Sequence, residues 1–305
     1  MALSHKDLAG FPEGCALSIT QALNIAAARL FAAGVESPRR ESRLLLNYAV
    51  DLSPEDLIRD PDLMLSQDDV SRFVAVMRRR ERREPFARIV GRREFWGLDF
   101  QINDSTLIPR PDSETIITLA LSAITEHETE KHILDLGTGT GCLLLAFLHE
   151  RPQAKGLGID ISEEALAMAK INAEKLGLSA QAKFQKNNFM QQGWAGQIGA
   201  KADLILCNPP YITTTDIAGL DPEVRCCEPL RALDGGNDGL ACYKSILQEL
   251  PVVLAEGGRA IFEIGQGQAP AVTSLAESCN LQVYQEGYDL SGHKRALVMR
   301  LEARA

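Results

Sequence analysis

The stretch DLILCNPPYI, residues 203–212, puts Asn208, Pro209, Pro210 and Tyr211 directly after a short apolar run. A side-chain amide, two tertiary peptide amides at proline and a phenol in four successive positions suit chemistry on a flat polar group. Asn208 offers a side-chain carbonyl, and Pro209 offers a main-chain carbonyl whose conformation is restricted by Pro210. Two acceptors fixed at one place can take both hydrogens of a planar –NH₂ group, and Tyr211 can stack on the group that carries it. The nitrogen of an amide or aromatic amine is a poor nucleophile because its lone pair is delocalised. Accepting both hydrogens orients that nitrogen and favours charge developing on it during attack on an electrophilic carbon. No strong base is demanded, since the proton becomes acidic only as the new bond forms. As a bare dipeptide, Pro-Pro after Asn also makes an ordinary turn, so the corner needs a partner site to gain meaning.

That partner lies upstream. HILDLGTGTGCLLLAFL joins an apolar run to a second one through Gly137, Thr138, Gly139, Thr140 and Gly141. Glycines allow a tight turn and close approach of a ligand to the main chain, and a strand-to-helix turn favours nucleotide-like ligands. GLGID then places Asp160 about twenty residues on, where an acid accepts from ribose hydroxyls; capping of the helix starting SEEALAMAK is its competing role, which Ser162 would fill equally well. Dinucleotide sites space their glycines GxGxxG. Here Gly141 comes one residue early and position 142 is Cys, which suits S-adenosyl-L-methionine, a ligand with no phosphate to cradle. Asp135, just before the loop, is placed to help hold a cationic amino-acid portion.

These motifs need a scaffold. Apolar runs at 132–136, 154–159, 182–186, 203–207, 259–264, 281–286 and 294–301 alternate with helical patterns at 113–126, 141–149, 162–176, 239–255 and 269–279. Such alternation predicts an α/β fold with a doubly wound, seven-stranded, mostly parallel Rossmann-like sheet. In that architecture ligands sit beyond the carboxyl ends of the strands, so Asn208–Tyr211 are expected to face the reactive end of a cofactor held at the glycine loop. Residues 18–84 read as helices, with Ser18 or Thr20, Pro38 and Ser66 at helix starts. Residues 86–111, with Gly91, Gly97 and alternating polarity, read as a β-hairpin. The expected organisation is a helical domain over 1–85, a hairpin linker over 86–111 and a methyltransferase domain over 112–305.

The 305 residues carry a net charge of −9, with 45% hydrophobic and 24% charged residues. That is the profile of a globular chain with no broad attraction to nucleic acid. The arginine run RRRERRE (78–84) is best explained as a solvated helix end that complements the helix dipole. No apolar run has the length of a membrane span. The opening residues lack the pattern of a secretory signal. The seven cysteines show neither CxxC pairing nor a histidine at zinc spacing, so no metal is expected, and a reducing, cytoplasmic setting is.

Beyond these separate signals, the chain resembles the glutamine methyltransferases that modify the Gly-Gly-Gln loop of peptide chain release factors, the PrmC/HemK family. The resemblance runs from about residue 18 onward. REPFARIVGRREFWGLDFQINDSTLIPRPDSE, with Pro109, Arg110, Pro111 and Glu114, is similar to that family's interdomain hairpin. DLGTGTG, GLGID and NPPYI follow in the family's order, then VRCCEPLRALDGGNDGL with Glu228 and Pro229, and DLSGHKRALVM. LIPRP and EPLRAL are the specific segments; NPPY alone is shared with adenine methyltransferases.

The resemblance implies a helical first domain that grips a class 1 release factor and a catalytic domain that binds S-adenosyl-L-methionine through Gly137–Gly141 and Asp160. It implies that Asn208 and Pro209 hold the glutamine amide while Pro210 and Tyr211 shape its pocket. After the third strand the family usually shows an acid, then an apolar or aromatic residue, beside the adenine. Here Asn187 and Asn188 stand there, and Asn187 can accept from the adenine amino group without charge. Arg88 stands where an aromatic is common. A sister glutamine methyltransferase acting on a ribosomal protein shares the same chemistry. A duplex-DNA adenine methyltransferase would need a basic cleft to expose its base, which the acidic composition disfavours.

Overall fold

Serine side chains start three of the first four helices. Ser18 accepts the Gln21 N–H ahead of α1 (Ile19–Ala32), and Gln21 returns a bond to the Ser18 N–H. Ser53 and Asp56 repeat this capping box ahead of α3 (Pro54–Arg59), as do Ser66 and Asp69 ahead of α4 (Gln67–Glu81). Between α1 and α3, α2 (Pro38–Val50) starts on Pro38, whose missing N–H costs nothing in a first turn. Each cap satisfies donors that the helix leaves open. Replacing Ser66 by alanine is therefore expected to destabilise this part of the chain by about 1 kcal/mol. Urea denaturation followed by circular dichroism measures it, and an unchanged first transition would contradict it.

In the computed structural model, residues 16–124 and 130–302 are described, and the chain divides into two compact units between Gly91 and Arg92. The first unit packs Ile19, Ala26 and Leu30 of α1 against Leu45 and Leu46 of α2 and Phe73 and Met77 of α4. The arginine run is not simply solvated, contrary to expectation. Arg80 is 4% exposed and pairs with Glu41 of α2 at 2.8 Å. Arg79 bonds Glu84 and the carbonyls of Arg88 and Ile89. Arg83 donates to the Gly34 carbonyl at 2.9 Å, while Arg78 and Arg82 face solvent. The run thus ties α4 to its neighbours, a job for which the guanidinium's five donors suit it. Arg88 is buried, and its charge joins those of Arg79 and Arg82 in holding the Glu84 carboxyl below the ordinary range, the Arg79 hydrogen bond being the main cause.

The segment 86–111 is not hairpin throughout. Residues Phe86–Val90 form a short helix, α5, which Gly91 ends in the left-handed conformation. The hairpin is confined to β1 (Arg92–Phe95) and β2 (Leu98–Gln101). Its two turn residues, Trp96 and Gly97, both have positive φ, at 54° and 70°, as a two-residue turn between twisted strands requires. Trp96 keeps that unusual conformation through Glu114, which accepts its N–H at 3.0 Å, and Glu150, which accepts its indole N–H at 2.9 Å. The hairpin belongs to the second unit. Phe95 and Phe100 are buried in that unit's core, and the Asn172 side chain bonds both the N–H and the carbonyl of Gln101.

From there the chain alternates as expected: α6 (Glu114–Ala123), β3 (His132–Leu136), α7 (Cys142–Glu150), β4 (Lys155–Asp160), α8 (Glu163–Lys175), β5 (Ala182–Lys186) and β6 (Ala202–Cys207). After a short α9 (Pro222–Arg225) come α10 (Ala241–Val253), β7 (Leu254–Glu263), α11 (Ala269–Ser278), β8 (Leu281–Tyr288) and β9 (Lys294–Leu301). The seven strands β3–β9 make one sheet in the order β5-β4-β3-β6-β7-β9-β8, parallel except for β9. Apolar clusters cover both faces, one built on α6 and α7 and the other on α10 and α11. This is why the strands read as continuous apolar runs. β7 begins earlier than RAIFEI marks, because its pairing shifts register between the Ala202↔Leu254 and Leu204↔Arg259 partners.

The chain leaves β3 towards β4 and β5 on one side and returns to β3's other side as β6, with Leu136 opposite Cys207. Strand order therefore reverses between the glycine loop and the Asn-Pro-Pro-Tyr corner. A crevice at the carboxyl ends is the geometric consequence.

Candidate functional site

At the end of β3, Gly137, Gly139 and Gly141 all have left-handed φ, at 74°, 55° and 80°, which a side chain would strain. The Gly137 and Thr138 N–H groups donate to the Ile159 carbonyl at 2.9 Å, binding the loop to β4. A methyl group on Gly141 would sit 3.0 Å from Leu145 and 3.3 Å from Ala169, whereas one on Gly139 would meet nothing closer than 4.0 Å. The third glycine thus serves helix packing, and the middle one leaves an open face. Asp160 is fastened to this loop: its Oδ2 accepts the Gly139 N–H at 3.0 Å and its Oδ1 accepts the Ser162 N–H at 2.9 Å. Capping of α8 falls to Ser162, whose hydroxyl accepts the Ala165 N–H. A carboxylate has about four acceptor positions, so Asp160 retains capacity for further donors on the side facing the crevice.

The crevice holds a cavity of about 840 Å³ lined by Gly137–Thr140, Asp160, Asn187–Met190, Asn208 and Pro210, large enough for a nucleoside-sized ligand. Among the described residues, two buried acceptors at this end of the sheet have no hydrogen-bond partner, Oδ1 of Asp135 and Oδ1 of Asn187. Asn187 is anchored by its Nδ2, which donates to the Trp194 carbonyl at 3.2 Å. Asp135 accepts the Thr138 hydroxyl at 2.6 Å on its other oxygen. Burial pushes the Asp135 carboxyl up to about 7, helped by the negative charge of Asp160 and opposed by the Thr138 bond. Unpaired buried acceptors cost on the order of 1–3 kcal/mol each. Asn187 lines the cavity, so a ligand bringing an –NH₂ group to its Oδ1 would remove that cost there, while Asp135 lies just before the loop, 1% exposed and behind the lining. The acceptors on the cavity wall therefore fit S-adenosyl-L-methionine, Asn187 Oδ1 its adenine amino group and the open positions of Asp160 its ribose hydroxyls. Asn188 differs from its neighbour: its Oδ1 accepts the Met190 N–H and shapes the loop.

The Asn-Pro-Pro-Tyr corner does not face one space but divides two. Asn208 and Pro210 line the large cavity, while Asn208, Pro209 and Tyr211 line a smaller one of about 320 Å³ together with Arg110, Glu263 and Arg295. Asn208 Nδ2 donates to Ser113 Oγ at 3.0 Å. Ser113 Oγ in turn donates to Glu263 Oε2 at 2.5 Å, and the Tyr211 hydroxyl donates to Glu263 Oε1 at 3.3 Å. Glu263 is 2% exposed. Burial pushes its carboxyl up to about 7 against the pull of the Ser113 and Tyr211 bonds and Arg295, with Asp112 adding to the rise. Burial likewise holds the Tyr211 phenol protonated well above its ordinary value, so Tyr211 is a donor and a wall, not a base.

Glycine-rich backbone buttresses the corner from behind. A methyl group on Gly235 would lie 2.8 Å from the Tyr211 Cα, and one on Gly239 only 2.5 Å from the Tyr211 carbonyl oxygen. Gln268 donates to the same Tyr211 oxygen at 3.0 Å while accepting the Gly265 N–H. The two segments LIPRP and EPLRAL also meet. The buried Glu228 carboxylate accepts the Ile108 N–H at 3.2 Å and pairs with Arg110 at 2.8 Å, placing Arg110 on the wall shared by both cavities.

Gly137–Thr140, Asp160, Asn187, Asn188 and Asn208–Tyr211 therefore gather at the carboxyl ends of the strands, whereas Arg88 belongs to the first unit. Ser113, Glu263, Gln268 and the Glu228–Arg110 pair were not singled out for the site's geometry. The available signal was an acid inside a core strand, RAIFEI, and polar residues directly after it.

Comparison with known proteins agrees with this architecture. The PrmC N-terminal domain family matches residues 21–91 and a methyltransferase domain family matches residues 127–293. A release factor glutamine methyltransferase of Rhodospirillum rubrum is 44% identical over 95% of this chain and 87% of its own length. One of Caulobacter vibrioides is 41% identical over 92% of this chain and 96% of its own. Among solved structures, the hMettl16 catalytic domain shares the fold, with a TM-score of 0.52 at 18% identity over 77% of this chain and 82% of that one. With such identity maintained across nearly the whole length of both chains, the protein belongs to the release factor glutamine methyltransferase family.

Proposed function

We propose that the protein transfers the sulfonium methyl group of S-adenosyl-L-methionine to the side-chain amide nitrogen of the glutamine in the Gly-Gly-Gln motif of class 1 peptide chain release factors, in the cytoplasm. The observation that carries this reading is the position of Asn208 on the wall between two cavities, with its –NH₂ engaged by Ser113. Its carbonyl oxygen is then the atom left for a substrate.

The cofactor supplies an electrophilic methyl group on a positively charged sulfur. Its binding falls to the glycine loop, Gly137–Gly141, with Asp160 accepting from the ribose, Asn187 from the adenine amino group, Asn188 shaping the adenine loop and Asp135 facing the ammonium. The smaller cavity takes the glutamine side chain. There Asn208 Oδ1 and the Pro209 carbonyl each accept one amide hydrogen, which turns the nitrogen towards the larger cavity and excludes water from it. Pro210 fixes the Pro209 carbonyl, and Tyr211 closes the pocket against the amide plane. As the N–C bond forms and the C–S bond breaks, positive charge develops on the nitrogen. The same two oxygens stabilise it through their hydrogen bonds, and the proton that the nitrogen then gives up passes to solvent.

The division of labour that goes with this assigns release-factor engagement to the helical residues 1–85, connection to 86–111 and catalysis to 112–305. The match of separate families to 21–91 and 127–293 supports it. Among the described residues no helix is long and apolar enough to cross a membrane, and the net charge of −9 gives no reason for sequence-specific nucleic-acid binding.

The test is competitive. Purified protein is incubated with methyl-labelled S-adenosyl-L-methionine and, in parallel, a release factor, ribosomal proteins or duplex DNA. Label is expected on the release-factor glutamine. Label in ribosomal protein or DNA, with none in release factor, would overturn the assignment.

A further inference from the structure

We propose that Ser113 and Glu263 act as a positioning relay that fixes which way round the Asn208 amide sits, and so switch the substrate-binding oxygen into place. The inference rests on the functional reading above and adds two residues that act through Asn208.

An amide side chain is ambiguous on its own. Its oxygen and nitrogen have the same shape, and a rotation of half a turn exchanges an acceptor for a donor. At Asn208 the oxygen must face the glutamine hydrogens; the opposite orientation would present two N–H donors to a donor. Something has to break the symmetry. The chain of bonds Asn208 Nδ2 to Ser113 Oγ to Glu263 Oε2 does so. An ionised carboxylate only accepts, so it commands the single Ser113 hydrogen. Ser113 Oγ, its hydrogen spent, can only accept in its turn, and the Asn208 –NH₂ must face it. The second Glu263 oxygen is held by the Tyr211 hydroxyl and its main-chain carbonyl by the Tyr243 hydroxyl at 2.8 Å. The residue is thus held at its carboxylate by Tyr211 and at its main chain by Tyr243.

Protonation reverses the logic. A neutral Glu263 donates to Ser113, frees the Ser113 hydrogen to point at Asn208, and permits the wrong orientation. The charged and titratable groups that face Glu263 are Asp112, which favours its neutral form, and Arg295, which favours its ionised form. Arg295 is itself shared with Asp112 and Asp289. Tyr211, Tyr243, Cys142 and Cys207 are also nearby, and burial pushes all four above their ordinary values, so they remain neutral. With its carboxyl at about 7, Glu263 passes from neutral to ionised across the physiological range.

The experiment uses the full-length protein with a release factor. The turnover number at saturating cofactor and substrate is measured between about pH 6 and about pH 9, and cofactor affinity is measured by calorimetry. For the wild-type chain, turnover is expected to rise with pH through about 7. Ser113→Ala is expected to lower the high-pH plateau by about tenfold, flatten that rise and leave cofactor affinity within about twofold. Glu263→Gln, which keeps the shape and loses the charge, is expected to flatten the rise as well. Asp135 also titrates near 7, but its contribution would persist in both variants, so the change between variants isolates the relay. Wild-type turnover in Ser113→Ala, a rise with pH as large in both variants as in the wild-type chain, or losses of turnover and cofactor affinity in parallel would each overturn the relay. Failure of the wild-type chain to methylate release factor at all would instead overturn the functional reading.

Discussion

Replacing Asn208 by alanine is expected to lower turnover on release factor by roughly two to three orders of magnitude, with cofactor affinity changed less than about threefold. On the proposed reading, the alanine variant loses one of the two acceptors that would hold the glutamine nitrogen in line, so both orientation and charge stabilisation should fall together. The cofactor side should be nearly indifferent, because the glycine loop, Asp160 and Asn187 are held by bonds that do not pass through Asn208. Asn208→Asp should fail as well, although it supplies acceptors. Its carboxylate would face a Ser113 oxygen whose hydrogen already serves Glu263, placing oxygen against oxygen. Single-turnover kinetics with a parallel binding measurement separates the two effects. Equal losses of rate and affinity would mean that Asn208 merely supports the fold.

Asp135→Asn is expected to weaken cofactor binding by about thirtyfold or more while making the protein more stable above neutral pH. The first effect follows if, as proposed, Asp135 faces the ligand's ammonium group, since the variant removes that charge, a loss on the order of 2 kcal/mol or more for a buried charged contact. The second follows from linkage. Burial raises the Asp135 carboxyl from 3.8 to about 7 in the folded state. Between those values the native state binds more protons than the unfolded chain, so stability falls as pH rises through that window and then levels off. The asparagine variant lacks this cost. Its advantage should be on the order of 2–4 kcal/mol above about pH 7 and vanish near about pH 4. For the wild-type chain the cofactor's cation should drive Asp135 to ionise, so binding near pH 6 should release a proton, detectable by calorimetry in two buffers of different ionisation enthalpy. Unchanged affinity in the variant, or no proton release, would remove Asp135 from the site.

The glycine loop, Asp160 and the Asn-Pro-Pro-Tyr corner were legible because each imposes a local demand on the backbone. Left-handed glycines, an acid at a strand end and a Pro-Pro stop can be recognised without knowing what lies across the fold. The strands were legible for a similar reason, since burial on both faces leaves a continuous apolar run. What escaped depends on closure of the chain over long distances. Ser113 and Glu263 are 150 positions apart, Glu228 and Ile108 are 120 apart, and no local pattern links either pair. The arginines of α4 looked solvated because the partner of Arg80, Glu41, lies 39 positions away on α2. The helix α5 was lost to an apparent alternation in FARIV, although Pro85 before it and Gly91 after it are the punctuation of a short helix. The division of the corner between two cavities was also beyond reach, because it requires the backs of Pro209 and Tyr211 to meet Glu263 and Arg295 from β7 and β9.

A structure of the protein with S-adenosylhomocysteine and a release factor bound would test the central claim most directly. The glutamine side chain is expected in the smaller cavity, with its nitrogen about 3 Å from both Asn208 Oδ1 and the Pro209 carbonyl and turned towards the sulfur. A glutamine amide seated elsewhere, or an Asn208 oxygen bonded to Ser113 with the –NH₂ group facing the substrate, would contradict it.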